Sequence, residues 1–380
     1  MKKEQCPFGP GSTARNALRL RARCAMTRRK RGAVTAGYYA NGVGSLTKVS
    51  GKTSVNPNCH STSAEDVRSM TGPSGSIFDP VSPEAQAITS LFVITLWICA
   101  AIFAAVAGLV GYSLARYRWR EGDVDPAQIA GDKRVEIAWT VIPFAIVLVL
   151  FGLTVRAMGK SDPPAPAGEP DLVVVGHQWW WEVRSPKLGY VAANEIHIPV
   201  GQPVSVRLDS TDVLHEFWVP QLTRKMTTVP AAGNHVWMEA DKPGVYQGVC
   251  SEFCGTQHAW MRFEVIAETS TQFAAWVRHQ QTAPAEVTGE AARGRQIFRE
   301  LTCVNCHSIQ GTDTSGNAGP DLTHLASRRS LGAGIVPNTP ENLRRWLVNP
   351  QQVKPGAMMP KFNLTSEQID HLLAYFETLR

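Results

Sequence analysis

Two stretches of the chain carry no charged side chain, residues 86–115 and residues 137–155. Each is long enough to cross a bilayer as a helix, the second with little to spare. Charges crowd at the ends of both runs, a pattern that two buried helices of a soluble core rarely share. The expectation is a transmembrane hairpin over residues 76–158, with helices at about 86–115 and 136–157. Residues 159–170 contain Ser161-Asp162-Pro163-Pro164-Ala165-Pro166-Ala167-Gly168, which reads as a stiff, extended linker.

The period then changes to two. Val204, Val206 and Leu208 alternate with Ser205, Arg207 and Asp209, as in a strand with one buried face. Leu172–Val175, Glu195–Val200, His235–Glu239 and Met261–Ile266 are further strand-like runs. Turns at Pro199-Val200-Gly201 and Lys242-Pro243-Gly244 punctuate them. Short strands at this spacing predict an all-β antiparallel sandwich over residues 171–268.

Residues 269–287 predict a short helix and a linker around Pro284. From there to the C-terminus the signals are helical. Thr288 is placed to cap a helix to about Leu301, and Thr339-Pro340 pairs a cap with proline at the first helical position. Thr365 and Gln368 have capping-box spacing ahead of Ile369, Leu372, Leu373 and Phe376. Residues 288–380 are therefore expected to be a small all-α domain, and the whole chain a multidomain protein.

The 380 residues carry a formal net charge of +6, but its placement does not suggest nucleic acid. Much of the basic excess lies in residues 1–31. Residues 1–75 are rich in Gly, Ser, Thr and Asn without apolar periodicity, and predict a disordered basic tail. They hold no convincing apolar signal core, and Met26 or Met70 is an alternative start. Another basic cluster, Arg116, Arg118, Arg120, Lys133 and Arg134, sits between the apolar runs. A short basic loop stays cytoplasmic, so both termini and both folded domains are expected on the outer, periplasmic side of a bacterial-type cell membrane.

Of the eight cysteines, four form two close pairs, each with a nearby histidine. Cys303-Val304-Asn305-Cys306-His307 is C-x-x-C-H: two thiols that can add to the vinyl groups of one haem, followed by a histidine for its iron. The later Pro355-Gly356-Ala357-Met358-Met359-Pro360 offers a thioether as second axial ligand. Met359, next to Pro360, is the candidate, with Met358 as a packing residue and His324 as a rival ligand. Cys59-His60 has half of the motif and lacks the first cysteine.

The other pair lies in Cys250-Ser251-Glu252-Phe253-Cys254-Gly255-Thr256-Gln257-His258-Ala259-Trp260-Met261. Two thiolates, an imidazole and a thioether fall close together, and His215 could close the site from a neighbouring loop. Soft thiolate and thioether ligands with imidazole select copper, and two cysteines four apart can bridge two copper ions. A structural zinc on Cys250, Cys254, His258 and His215, or a disulfide, are the bland alternatives.

This stretch resembles the dinuclear copper (copper A) centre of cytochrome c oxidase subunit II. Gly176-His177-Gln178-Trp179-Trp180-Trp181 is similar to the family's aromatic segment, and Val135-Glu136-Ile137-Ala138-Trp139-Thr140-Val141-Ile142-Pro143 to the start of its second membrane helix. Residues 288–380 resemble a class I cytochrome c. The first resemblance implies two helices followed by a cupredoxin sandwich. Cys250 and Cys254 would bridge the coppers, and His215 and His258 would each ligate one. Met261 and the backbone carbonyl of Glu252 would complete the set. The Glu252 carboxylate would also reach a magnesium ion at the boundary with subunit I. Trp179 would receive electrons from cytochrome c, and Glu136 would lie near the mouth of a proton path into subunit I. The second resemblance implies that His307 and Met359 ligate the haem iron and that the Pro320 carbonyl holds His307.

Together they imply an electron-input subunit of a respiratory oxidase. Electrons would enter at the fused haem domain, pass to the copper pair and reach subunit I, where oxygen is reduced to water with proton translocation. The bland alternatives are a core role for Trp179 and, for Glu136, a carboxylate balanced by the helix dipole. A quinol oxidase subunit II would keep the fold but lose the copper ligands. A nitrous oxide reductase would carry the copper motif on a soluble propeller chain. A membrane-anchored carrier would serve some other reductase.

Overall fold

The computed structural model describes residues 75–380, apart from residues 123, 125, 126, 129 and 166. The basic tail, Cys59-His60 and both alternative start methionines lie outside the described residues.

Helix α1 spans Pro83–Arg116 and helix α2 spans Lys133–Ser161. Both exceed their uncharged cores because caps, not charge, set their ends. Ser82 accepts a hydrogen bond from Ala85 N with Pro83 at the first helical position, and Asp132 accepts from Arg134 N. Helix α2 thereby takes in the first residues expected in the linker. Both helices are long and apolar enough to cross a membrane, and the apolar window of each is unburied within the chain. Those faces are left for lipid or for another subunit. One end of the hairpin is fastened to the β domain. Ser82 Oγ donates to Leu222 O at 2.6 Å, Arg224 N donates to the Glu84 carboxylate at 2.9 Å, and Arg224 Nη2 donates to Asp162 at 2.5 Å.

The β domain has ten strands: β1 Leu172–His177, β2 Trp180–Ser185, β3 Tyr190–Ala193, β4 Glu195–Pro199, β5 Val204–Ser210, β6 His215–Trp218, β7 Met226–Thr228, β8 Asn234–Met238, β9 Gly244–Cys250 and β10 Arg262–Glu268. They form two five-stranded sheets, ordered β3-β2-β1-β5-β8 and β4-β10-β9-β6-β7. Trp181, Phe217 and Phe263, all fully buried, pack edge and face at the centre of the core.

The sheets are mixed rather than purely antiparallel: β1 runs parallel to β5, and β4 parallel to β10. The cause is a sheet switch. Asn194, with φ 61°, turns the chain from β3 in one sheet to β4 in the other. Its side chain accepts a hydrogen bond from Trp181 N at 2.8 Å, and asparagine tolerates this left-handed conformation. Once the chain crosses between sheets, sequence neighbours no longer pair, and the strands meet distant partners in parallel.

Helix α3 (Ser270–Gln280) packs on the β domain, with Trp276 stacked on His197 at 3.9 Å. The C-terminal domain contains α4 Gly289–Glu300, α5 Pro340–Val348, α6 Pro350–Val353 and α7 Ser366–Phe376. The capping box of Thr365 and Gln368 forms, and Thr339 accepts from Asn342 N. Thr288 sits at the N-cap of α4 but makes no side-chain capping bond, contrary to the expectation.

Candidate functional site

Strand β9 ends on Cys250, the chain loops through Cys254 to a turn at His258–Trp260, and β10 follows Met261. His215 opens β6 beside them. The ligand atoms of His215, Cys250 and Cys254 all lie within 4.8 Å of one another. Cys250 Sγ is 3.7 Å from Cys254 Sγ, too far for a disulfide, and both thiols are free. His258 Nδ1 is 3.8 Å and Met261 Sδ 3.9 Å from Cys254 Sγ, while Glu252 O is 3.3 Å from Cys250 Sγ. The Glu252 carboxylate itself is exposed.

The surroundings aim these groups inward. His215 Nε2 meets Asp212 Oδ1 at 2.8 Å, and its Nδ1 is buried without a partner. A buried imidazole nitrogen is costly to leave unpaired, and here it faces two thiols. Gly176 makes room for the ring: a Cβ there would lie 2.6 Å from His215 Cδ2. Burial pulls the His215 imidazole down, but Cys250 and Asp212 outweigh it and raise it. Burial likewise pushes Asp212 up, and hydrogen bonds from His215, Val213 N and Gln178 N bring it below the usual carboxylate range. The Cys254 thiol holds Cys250 far below an ordinary thiol, and the resulting thiolate keeps Cys254 protonated. A metal binding there would meet one thiolate already formed and displace the remaining proton, on Cys254, to solvent. Two thiol sulfurs, a thioether and two imidazoles, with one carbonyl beside them, form a sulfur-rich donor set that suits copper better than zinc.

Asp212 was not evident in the sequence, and it orients the His215 imidazole. Asp212→Asn is expected to weaken copper retention about 10–100-fold, read by chelator competition against the intact oxidase. Unchanged retention would show that the carboxylate does not orient the imidazole.

Trp179 is half-buried, and its Nε1 donates to Cys254 O at 2.9 Å, directly linking it to the thiolate loop. Gly255, with φ 117°, lets that loop pass beneath: a Cβ would lie 2.9 Å from the indole. The alternation of three tryptophans predicts at least one exposed ring, and the structure corrects this. Trp181 is fully buried, and Trp180 stacks on His177 at 4.2 Å. The C-terminal domain covers the rest: Trp180 clusters with Ala193 and Ala333, and Lys354 Nζ donates to Trp179 O at 3.0 Å. Burial pulls the Lys354 ammonium down to about 7, against the opposing pull of the Cys254 sulfur.

Glu136 lies elsewhere. It is exposed in the first turn of α2, at the opposite end from Ser161 and the β domain, about 38 Å along the helix.

In the C-terminal domain, Thr302 with φ 61° ends α4 and starts the tight turn Cys303–Asn305. Cys303 is half-buried against the core, Cys306 is exposed, and both are free. His307 Nδ1 donates to Pro320 O at 2.7 Å, which leaves Nε2 as the lone-pair nitrogen. Burial holds this imidazole below its usual range, opposed by the Pro320 carbonyl, so it is neutral and able to ligate. Gly319 seats the ring: a Cβ there would come 2.5 Å from His307 Cε1. Met359 is half-buried and its sulfur accepts from Trp346 Nε1 at 3.1 Å, whereas Met358 points to solvent. The rival His324 has both ring nitrogens against carbonyls, Arg380 O and Gln280 O, and none left for iron. Free thiols, a neutral histidine seated on glycine and a half-buried thioether fit a covalent haem.

Two unburied apolar helices, a sandwich with a soft Cys/His/Met pocket and a helical C-x-x-C-H domain define a membrane-anchored electron-transfer subunit. Residues 74–155 match the family described as cytochrome c oxidase subunit II, transmembrane domain, and residues 187–268 its periplasmic domain. Residues 291–380 match cytochrome c. The cytochrome c oxidase subunit 2 of Alkalihalophilus pseudofirmus is 37% identical over 310 residues, spanning 80% of this chain and 90% of that one. The subunit 2 of Bacillus sp. strain PS3 is 34% identical over 286 residues, or 70% and 80% of the two chains. A quinol oxidase subunit 2 of Bacillus cereus is 32% identical over 253 residues, 62% of this chain and 87% of its own. The chain belongs to the cytochrome c oxidase subunit 2 family, and its cytochrome c domain and its family imply a haem c and a copper centre.

Proposed function

We propose that this chain receives electrons from cytochrome c on its haem domain and delivers them, by way of the Cys250/Cys254 centre, to subunit I of a haem–copper oxidase. There oxygen is reduced to water with proton translocation. The convergence of six donor groups, three of them sulfur, around Cys250 and Cys254, on one chain with a C-x-x-C-H domain, carries this reading. It also favours cytochrome c over quinol as donor, since a quinol-fed subunit has no need of the thiolate pair.

Cys250, Cys254, His215, His258, Met261 Sδ and Glu252 O would hold the copper pair. Cys303 and Cys306 would hold the haem covalently, and His307 and Met359 would supply donors for its iron. Bound there, the copper pair and the haem each supply reversible one-electron chemistry. A buried, tightly packed donor set keeps its geometry between redox states, which favours fast transfer. Trp179 carries electrons onto the Cys254 loop. The exposed Glu252 carboxylate is free to meet a magnesium ion shared with subunit I. Glu136, at the far membrane surface, stands near a proton path into subunit I. The basic segment between the helices sets both folded domains on the periplasmic side.

Metal and haem analysis of the purified oxidase tests this, together with paramagnetic resonance. The expected result is one unpaired electron shared by two coppers in this subunit and one covalent haem. Zinc, or no metal, at Cys250 and Cys254 would overturn the copper assignment.

A further inference from the structure

We propose that Lys354 bolts the haem domain onto the copper domain in one electron-transferring pose, with the Met359 loop lying on the Cys254–His258 loop. The inference rests on the two-centre reading above and adds how the centres are held together.

Lys354 caps the C-terminal end of α6, shortly before Met359, and is only 4% exposed. Its Nζ donates to Trp179 O in the copper domain at 3.0 Å and to Gly332 O in its own domain at 2.9 Å. Neither partner is a carboxylate. A buried ammonium without a counter-ion is expensive, and an apolar residue would pack such a contact at less cost. What the lysine adds is direction: two carbonyls on two domains must both point at one nitrogen.

Neighbouring contacts agree on the same pose. Gly356 lies against the copper loop, where a Cβ would be 3.0 Å from Gln257 Nε2 and 3.3 Å from Thr256 Oγ1. Arg329 N donates to Glu195 at 2.6 Å, and its Nε donates to Glu264 at 2.8 Å. Arg262 N donates to Ala333 O at 3.2 Å. A basic edge of the haem domain thus meets carboxylates of the copper domain.

The lysine also closes a continuous route of contacts. Cys254 O accepts from Trp179 Nε1, Trp179 O accepts from Lys354, and Lys354 reaches Gly332 O. Gly332 lies under the Trp346 ring, whose Nε1 donates to Met359 Sδ. Removing Lys354 breaks this route at the domain boundary. With the haem domain seated there, Trp179 is half-buried and its backbone carbonyl is taken by Lys354, so the fused haem domain is the donor already in place beside the copper loop.

Two experiments on the intact, purified oxidase test this. In the unmutated protein, an amine-acylating reagent followed by mass spectrometry is expected to modify Lys354 at least roughly tenfold more slowly than the exposed Lys361. Equal modification would overturn the proposal. In Lys354→Met, photoreduction of the haem domain is expected to be followed by at least roughly tenfold slower reduction of copper, because the pose is no longer held. The copper and haem spectra should be unchanged, and proteolysis between Thr282 and Thr288 should be faster. An unchanged transfer rate with both centres loaded would overturn it. If the variant loses a centre, the acylation result alone decides. A missing copper or haem in the unmutated oxidase would instead defeat the two-centre reading.

Discussion

Oxidase preparations carrying Cys254→Ser are expected to lose the spectrum of the paired copper centre and to turn over oxygen roughly a hundredfold or more slowly. Cys254 is the hub of the site: its sulfur lies 3.7 Å from Cys250 Sγ, 3.8 Å from His258 Nδ1 and 3.9 Å from Met261 Sδ. A serine hydroxyl is hard and does not ionise near neutral pH, so it cannot serve as a soft bridging ligand. The backbone needs little change, because the Cys254 carbonyl still accepts from Trp179 and Gln178. Loss of copper would therefore be chemical and not a general unfolding, and the covalent haem of the C-terminal domain should persist. Paramagnetic resonance, a haem stain and oxygen consumption together check this. A variant that kept the paired spectrum would remove Cys254 from the bridge.

The second large effect is structural and confined to the other domain. Gly294 lies where α4 crosses α7, and a Cβ there would lie 1.9 Å from His371 O and 2.7 Å from Tyr375 Cβ. The obstacle is helix backbone, which cannot swing aside as a side chain can. Gly294→Val must push the helices apart and break the packing of Phe298 against Tyr375 and Phe376. A cost above about 3 kcal/mol is expected, a large share of a small domain's stability. The haem domain should fail to fold and to retain covalent haem, while the copper spectrum survives. Haem staining beside paramagnetic resonance separates the two, and a normal haem content would show that the helices can re-pack.

Much of this molecule was legible in its sequence because its signals are local. The membrane helices announce themselves by composition, and the capping box at Thr365 by spacing alone. Both cofactor motifs bring most of their ligands within a few residues, so no tertiary knowledge was needed to group Cys250 with Met261 or Cys303 with His307. What stayed hidden is non-local. Strand β2 does not show clean alternation, because residues on both of its faces are buried. The parallel pairs follow from the turn at Asn194, which a lone asparagine does not reveal. The fate of the Trp179–Trp181 triplet depends on which domain covers it, and period two cannot foresee a second domain. Lys354 carries no sequence signal for the same reason: its partners are supplied by Trp179, far away in the chain, and by a loop of its own domain.

The connection between α3 and α4, Gln281–Thr288, is short. A tether of this length keeps the haem domain at an effective concentration in the millimolar range beside its docking face. A free donor present at micromolar levels would need an interface about a thousandfold tighter to be equally often in place. The handful of polar contacts from Lys354 and Arg329 can therefore be individually modest and still keep the face occupied. Supply to the copper loop is thus insulated from the abundance of any soluble carrier, whose arrival matters only for reloading the haem.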